Sequence, residues 1–290
     1  MSKRKMSRRS MLGRTAAGVV AASEAAMMAQ ETRDQALQLK GRIKQSVCKW
    51  CYPKHTVEEL AREGARMGIR GIDLIGPADW DACKKYGLQP TMGYAGSTIP
   101  DGLNSKANHA KIEEEFRKNV DLAAKAGVTN LICFSGNRRG MSDEEGLENC
   151  TLFLKKMMPL AEEKGIQICM ELLNSKVNHK DYMCDHTPWG VELVKRVGSP
   201  KFKLLYDIYH MQIMEGDVIR TIRDNIQHIA HFHTGGVPGR NEIDNTQELN
   251  YATITRAIIE TGFSGYMAHE FIPKREPLTS LREATILCDV

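Results

Sequence analysis

From residue 45 onward, short apolar runs rich in β-formers alternate with longer segments patterned at helical spacing. Eight runs predict strands: Ser46–Cys51, Ile69–Ile75, Pro90–Ala95, Thr129–Phe134, Ile166–Leu173, Phe202–Tyr209, Ile229–Thr234 and Ser264–Phe271. The first and last begin 218 residues apart, so the seven intervals average about 31 residues, close to the ~30 of a strand–helix–strand unit. Helix signals fall between the strands. Thr56 with Glu59 and Ser142 with Glu145 have capping-box spacing. Thr187-Pro188 reads as an N-cap followed by Pro at the first helical position. Asn108–Ala126 and Glu144–Lys164 are long helical stretches closed by Gly127 and Gly165. Eight such units predict an α/β protein, a closed (β/α)8 TIM barrel over residues 45–290. An open doubly wound sheet would more often carry a Gly-rich phosphate turn after its first strand, and no GxGxxG occurs there.

Composition adds boundaries to this picture. The chain has 290 residues, 42% hydrophobic and 26% charged, which excludes a disordered polymer, a collagen or a coiled coil. No apolar run reaches the roughly 18 residues that span a bilayer. The net charge of +4 is unevenly spread: residues 1–30 hold six basic side chains and one acid, whereas the other 260 residues carry 34 basic and 35 acidic groups. The body therefore has no bulk electrostatic reason to seek nucleic acid.

The basic start has its own pattern. Ser7-Arg8-Arg9-Ser10-Met11-Leu12-Gly13 precedes a mild apolar stretch from Ala16 to Ala22, with small residues at Ala25 and Ala29 offering cleavage points. Residues 1–29 thus resemble a bacterial twin-arginine (Tat) export signal, and 30–44 read as a polar linker. The expectation is a protein exported by the Tat pathway to the periplasm or beyond, or a cytoplasmic one should the leader not function. All eight cysteines lie in the body, where an exported protein can form disulfides. Cys48-Lys49-Trp50-Cys51 has CxxC spacing, but it sits at the end of an extended run with no second CxxC, so a structural role is expected.

Candidate chemistry comes from charge placed inside apolar strands. Strands of a parallel barrel are buried on both faces, and acids or imidazoles near their C-terminal ends are costly unless paired or metal-bound. Those ends are also where barrel active sites form. Four consecutive strands end this way: Cys169-Met170-Glu171-Leu172, Tyr206-Asp207-Ile208, Phe232-His233-Thr234 and His269-Glu270-Phe271. Glu171, Asp207, His233 and Glu270 are therefore expected to converge at one mouth. Three carboxylates and an imidazole suit one divalent ion, Mg²⁺ or Mn²⁺ first, then Co²⁺ or Zn²⁺. His231 is assigned to inner packing, His269 to the outer face of the barrel wall. Trp50 and Tyr94, at the ends of strands one and three, read either as pocket walls or as core aromatics.

Asp207-Ile208-Tyr209-His210-Met211-Gln212, the stretch His231 to Glu242 with its Gly235-Gly236-Val237-Pro238-Gly239-Arg240, Glu248-Leu249-Asn250-Tyr251, and Glu270-Phe271-Ile272-Pro273 together resemble the hydroxypyruvate isomerase family. That family belongs to the xylose-isomerase-like barrels, beside the ketohexose 3-epimerases. The resemblance implies metal carboxylates at Glu171, Asp207 and Glu270, with Glu171 and Glu270 also the catalytic acid/base pair. It implies substrate contacts from His210 and Arg240. The fourth ligand, His233, is similar to the epimerases, where bacterial hydroxypyruvate isomerases can carry Gln. The Pro238–Glu242 loop is similar to the isomerases instead.

The expected reaction interconverts hydroxypyruvate and tartronate semialdehyde, or a similar α-hydroxycarbonyl pair, through a metal-stabilised enediolate. One glutamate removes a proton from the hydroxyl-bearing carbon and the same or the other returns it next door. His210 donates to a substrate oxygen, and Arg240 meets a carboxylate or hydroxyl. The alternatives are a ketose 3-epimerase on the same site, an exported metal-dependent sugar-binding protein without turnover, and an endonuclease of the same superfamily. The last conflicts with the near-neutral body and the few strand-end histidines. The expected partners are a small hydroxycarbonyl or sugar substrate and further copies of the chain in a homo-oligomer, with no nucleic acid and no membrane after export.

Overall fold

Eight strands pair in parallel, each with the next in the chain, and the last returns to the first to close a barrel. They are β1 (Lys44–Cys48), β2 (Gly71–Asp73), β3 (Gln89–Tyr94), β4 (Asn130–Cys133), β5 (Gln167–Glu171), β6 (Phe202–Asp207), β7 (Ile229–Thr234) and β8 (Tyr266–His269). Closure sets Lys44 beside Tyr266 and Val47 beside His269. This is a computed structural model, and it describes residues 37–290 together with Met27. Apart from Met27, the export signal expected at 1–29 lies outside the described residues, as does the part of the linker before residue 37. Lys44, the last residue of that linker, opens β1. Ahead of it, Leu37 donates its N–H to Arg66 O, and Lys40 and Gly41 donate theirs to the Asp289 carboxylate. Among the described residues no helix is long and apolar enough to cross a membrane.

The helices lie outside the strands: α1 (Val57–Arg66), α2 (Trp80–Lys84), α3 (Lys106–Ala126), α4 (Asp143–Glu163), α5 (Thr187–Val197), α6 (Ile208–Met214), α7 (Val218–Asn225), α8 (Tyr251–Glu260) and α9 (Pro277–Leu287). Thr56 and Glu59 form the full reciprocal capping box of α1, whereas Ser142 caps α4 through Glu145 N alone. Thr187 is the first residue of α5 and His186 takes the cap position. The reason lies in the next unit. Glu215 reaches over and accepts from both Thr187 N, at 2.6 Å, and Thr187 Oγ1, at 2.7 Å. A carboxylate there also complements the positive end of the helix.

Most strands are shorter than the apolar runs that predict them. Lys49–Cys51 winds into a tight 3₁₀ turn instead of extending β1. The run Phe202–Tyr209 leaves the ladder at Asp207, because the Asp207 carboxylate accepts from His210 N and starts α6. Only β7 occupies its predicted range from end to end. All eight cysteines are unpaired thiols and buried, so the CxxC pair carries no disulfide. A hollow of about 620 Å³, floored by the first residues of β1, β5 and β8, lies at the N-terminal end of the barrel, opposite the residues considered next.

Candidate active site

The chain turns of the barrel carry Glu171, Asp207, His233 and Glu270 to the C-terminal mouth. Register does most of this. Glu171 pairs with Leu205, two residues before Asp207, and Asp207 pairs with His233. Glu270 follows β8 directly and donates its N–H to Thr234 O. One ligand-type atom from each of the four lies within 4.8 Å of the others, and all four residues are buried. His233 Nδ1 stands 2.9 Å from Glu270 Oε2 and 3.3 Å from Glu171 Oε1.

Burial and neighbours split the carboxylates into different states. Desolvation raises the pKa of Glu171, and it pushes Asp207 up to about 8 against the pull of Arg240. Glu270 is equally buried, yet Arg240 and His233 hold its carboxyl well below the usual range. Trp50 Nε1 donates to Glu270 Oε1 at 2.6 Å, and Arg240 Nη2 donates to Glu270 Oε2 at 2.5 Å and to Asp207 Oδ2 at 3.2 Å. The guanidinium is sandwiched, with ring centroids of Trp50 and Tyr209 at 5.1 and 5.3 Å. Arg240 itself sits at φ +58°, a left-handed backbone for a side-chain-bearing residue. The loop that imposes this is closed by Gly236, whose N–H donates to Asn241 O and whose carbonyl accepts from Arg240 N. A Cβ on Gly236 would stand 2.3 Å from Glu242 O, so only glycine lets the two backbones approach.

Three buried polar atoms at the mouth have no hydrogen-bond partner: Glu171 Oε1, His233 Nδ1 and His210 Nε2. Leaving such atoms unpaired costs on the order of 1–3 kcal/mol each. A divalent cation among the carboxylates satisfies the first two and offsets the repulsion among three buried acids. The residues present therefore fit a metal ion, with oxygen donors and one imidazole.

His210, just beyond Asp207, belongs to the same mouth. Its Nε2 lies 3.6 Å from Asp207 Oδ2. Its tautomer is fixed by Asn174, which sequence reasoning passed over. Asn174 Oδ1 accepts from the backbone N–H groups of Val177 and Asn178, so its amide nitrogen must face the other way. That nitrogen donates to Asn178 Oδ1 and, at 2.6 Å, to His210 Nδ1. Nδ1 is thus an acceptor, and the ring proton sits on Nε2, aimed into the site. Burial and the Arg240 cation hold the His210 pKa well below its ordinary value, so the ring is neutral.

The remaining histidines and aromatics divide between wall, core and mouth. His231 is fully buried inside the barrel, its Nε2 2.5 Å from Asp73 Oδ2. His269 lies in the wall, between Gln45 Oε1 at 2.8 Å and Thr234 Oγ1 at 3.3 Å, and Gln45 continues to Thr285 O of α9. Trp50 and Tyr94 are each 42% exposed at the rim, not core residues. Asp73 is a further buried acid that sequence reasoning did not single out. It lies beneath the four candidate ligands, in contact with His231, His233 and Thr91. The rule that found the other acids, charge inside an apolar strand, applies equally to Gly71-Ile72-Asp73.

Comparison with known proteins places the barrel in a family. The family described as "Xylose isomerase-like TIM barrel" matches residues 78–286, and the chain belongs to that family. Within it, the chain is 28% identical over 240 residues to the hydroxypyruvate isomerase of Escherichia coli (strain K12), a match covering 77% of this chain and 91% of that one. The putative hydroxypyruvate isomerase of Danio rerio is 28% identical over 172 residues, and the match spans 56% of this chain and 62% of that protein. The 2-oxo-tetronate isomerase of Cupriavidus necator is 32% identical over 114 residues, 39% of this chain and 43% of that one. Among solved structures, an AP endonuclease, family 2, from Brucella melitensis has TM-score 0.73 at 25% identity, covering 83% of this chain and 96% of the other. A D-psicose 3-epimerase studied with D-fructose has TM-score 0.67 at 18% identity, covering 83% and 90%, a likeness of fold.

Proposed function

We propose that the protein is a divalent-metal-dependent isomerase of small α-hydroxycarbonyl acids, interconverting hydroxypyruvate and tartronate semialdehyde. The observation that carries the reading is the pair Glu171 and Glu270, from β5 and the end of β8, both buried and both facing His233 Nδ1. Isomerases named for hydroxypyruvate and 2-oxo-tetronate are among the chain's relatives, which supports the substrate class. Glu171, Asp207, His233 and Glu270 would hold the ion; when bound, it polarises the substrate's carbonyl and hydroxyl oxygens.

The chain's own residues supply the proton movements. Glu171 takes a proton from the hydroxyl-bearing carbon through the oxygen it does not give to the ion. The electron pair left behind forms the double bond of an enediolate, and the proton is returned at the former carbonyl carbon. The former hydroxyl oxygen gives its proton to the former carbonyl oxygen and becomes the new carbonyl, so the change is redox-neutral. Glu270, tied by Trp50 and Arg240, stays ionised on the opposite side. His210 Nε2–H donates to the oxygen on which charge develops. Arg240 orients the substrate carboxylate with the donors it does not commit to Asp207 and Glu270.

Purified protein supplied with Mn²⁺ and offered hydroxypyruvate, 2-oxo-tetronate, fructose, tagatose and psicose tests the proposal. Turnover of hydroxypyruvate, lost with folding intact in Glu171→Gln and in Glu270→Gln, is expected. His233 as the imidazole ligand favours ketose 3-epimerisation as the second reading, and turnover of the ketohexoses alone would establish it. Binding without product would replace both with a carrier. We also propose that residues 1–29 direct export; fusion of these residues to a folded reporter should move it out of the cytoplasm, and lysines in place of Arg8 and Arg9 should keep it in.

A further inference from the structure

Below the proposed metal ligands, the barrel interior holds a second group of chemistry-bearing side chains: Cys48, Asp73, His231 and Thr91, all buried. Cys48, Asp73 and His233 are close enough to share an ion, but the contacts speak against a second metal. Asp73 Oδ2 lies 2.5 Å from His231 Nε2, a hydrogen-bond separation. The other Asp73 oxygen takes the Thr91 hydroxyl. His233 Nε2 stands 3.3 Å from Asp73 Oδ2 and 3.7 Å from Cys48 Sγ. Asp73 thus has its oxygens filled by three protein groups, and only one of these, His233, reaches the mouth.

That arrangement decides which nitrogen of His233 faces the substrate end. A proton on Nε2 pairs with the Asp73 carboxylate. Nδ1 then stands between Glu171 Oε1 and Glu270 Oε2, where a proton on it pairs with Glu270 in the ion-free protein and a bound divalent cation takes that proton's place. Were the proton on Nδ1 instead, the Nε2 lone pair would face the buried Asp73 carboxylate.

We propose that Asp73, reaching across the barrel from β2, is the positioning residue of the site: it holds His233 as the Nε2–H tautomer with Nδ1 presented to a divalent cation, and His231 and Thr91 hold Asp73. The inference rests on the metal reading above and adds to it a residue of the barrel floor that touches neither ion nor substrate. A carboxylate behind a ligating imidazole raises the basicity of the ligand and fixes its ring, and loss of such a partner typically costs 10–100-fold in metal affinity.

The test is Mn²⁺ titration of chelator-stripped protein by calorimetry, on wild type, Asp73→Asn, His233→Gln and the double variant. Asp73→Asn should weaken Mn²⁺ binding 10–100-fold while remaining folded, and should have no further effect in the His233→Gln background. Wild-type affinity in folded Asp73→Asn, or undiminished loss in the double variant, would overturn the proposal. If Asp73→Asn does not fold, the wild type decides. Nitrogen-15 spectra of the Mg²⁺-loaded protein should show a His233 proton on Nε2, and one on Nδ1 would overturn it. Failure of wild type itself to bind any divalent ion would instead remove the metal reading on which the inference stands.

Discussion

Asn174 offers a one-atom perturbation of the site. Asn174→Asp replaces the amide N–H that His210 Nδ1 accepts at 2.6 Å with an oxygen. The two backbone donors to Oδ1, Val177 N and Asn178 N, are kept, so the loop retains its fold. The partner on the other side, Asn178 Oδ1 at 2.8 Å, also accepts from Tyr209 OH at 2.9 Å; Asn178 is exposed, and when its amide turns around the Tyr209 hydroxyl becomes the acceptor. His210 must then carry its proton on Nδ1 and offers the substrate a lone pair where it formerly offered a donor. The doubly protonated ring would keep the donor: burial and the Arg240 cation oppose it, the new carboxylate favours it, and the comparison is therefore made at pH 8, where the neutral ring is most populated. Removing one preorganised donor from a developing oxyanion costs about 10²–10³ in kcat, or about 3–4 kcal/mol. Steady-state turnover of hydroxypyruvate at pH 8 should fall by that factor, with Mn²⁺ affinity and thermal unfolding close to wild type. The deficit should shrink toward acid pH, where the imidazolium supplies an Nε2–H again. Activity within threefold of wild type at pH 8 would refute the tautomer argument.

Two other perturbations address the surroundings. Trp50→Phe removes the N–H that reaches Glu270 Oε1 at 2.6 Å but keeps a ring under Arg240; kcat should drop about tenfold, as expected for loss of one hydrogen bond to a charged group, and an unchanged kcat would show that Trp50 only walls the pocket. Glu242 braces the loop that carries Arg240. Burial alone would raise its pKa, but the backbone N–H groups of Arg275 and Lys274 and the Ser280 hydroxyl hold it below 4.5. A depressed carboxyl contributes stability that is present above the unfolded pKa and is lost as pH falls through the folded one. The urea midpoint of wild type should therefore drop more steeply below pH 4.5 than that of Glu242→Gln, and parallel curves would contradict the assignment.

The eight-unit repeat and the four converging side chains are legible because each leaves a mark that burial makes anomalous. Glu171 and Asp207 interrupt apolar strands, and a charge in such a place must have a partner. Strand ends were less legible. The apolar pattern runs past Cys48 and past Asp207, whereas the ladder stops where Lys49–Cys51 coils and where Asp207 caps α6. Asn174 escaped because an uncharged amide in a loop carries no such mark, and its role depends on which way two backbone N–H groups turn it. Asp73 did carry the mark, but inside the predicted run Ile69–Ile75 it stands two residues short of the C-terminal end, whereas the ladder stops at Asp73 itself. Arg240 emerged from family likeness alone; no periodicity places a loop arginine between Trp50 and Tyr209.

On the proposed function, β5, β6, β7 and β8 bring three acids and one imidazole together around a single divalent ion. Counting bound Mn²⁺ by electron paramagnetic resonance, on stripped protein titrated with the ion, tests it most directly. One tightly bound ion per chain is expected, abolished in His233→Ala and in Asp207→Asn and untouched by removal of His269. No saturable site, or one that survives both ligand substitutions, would contradict it.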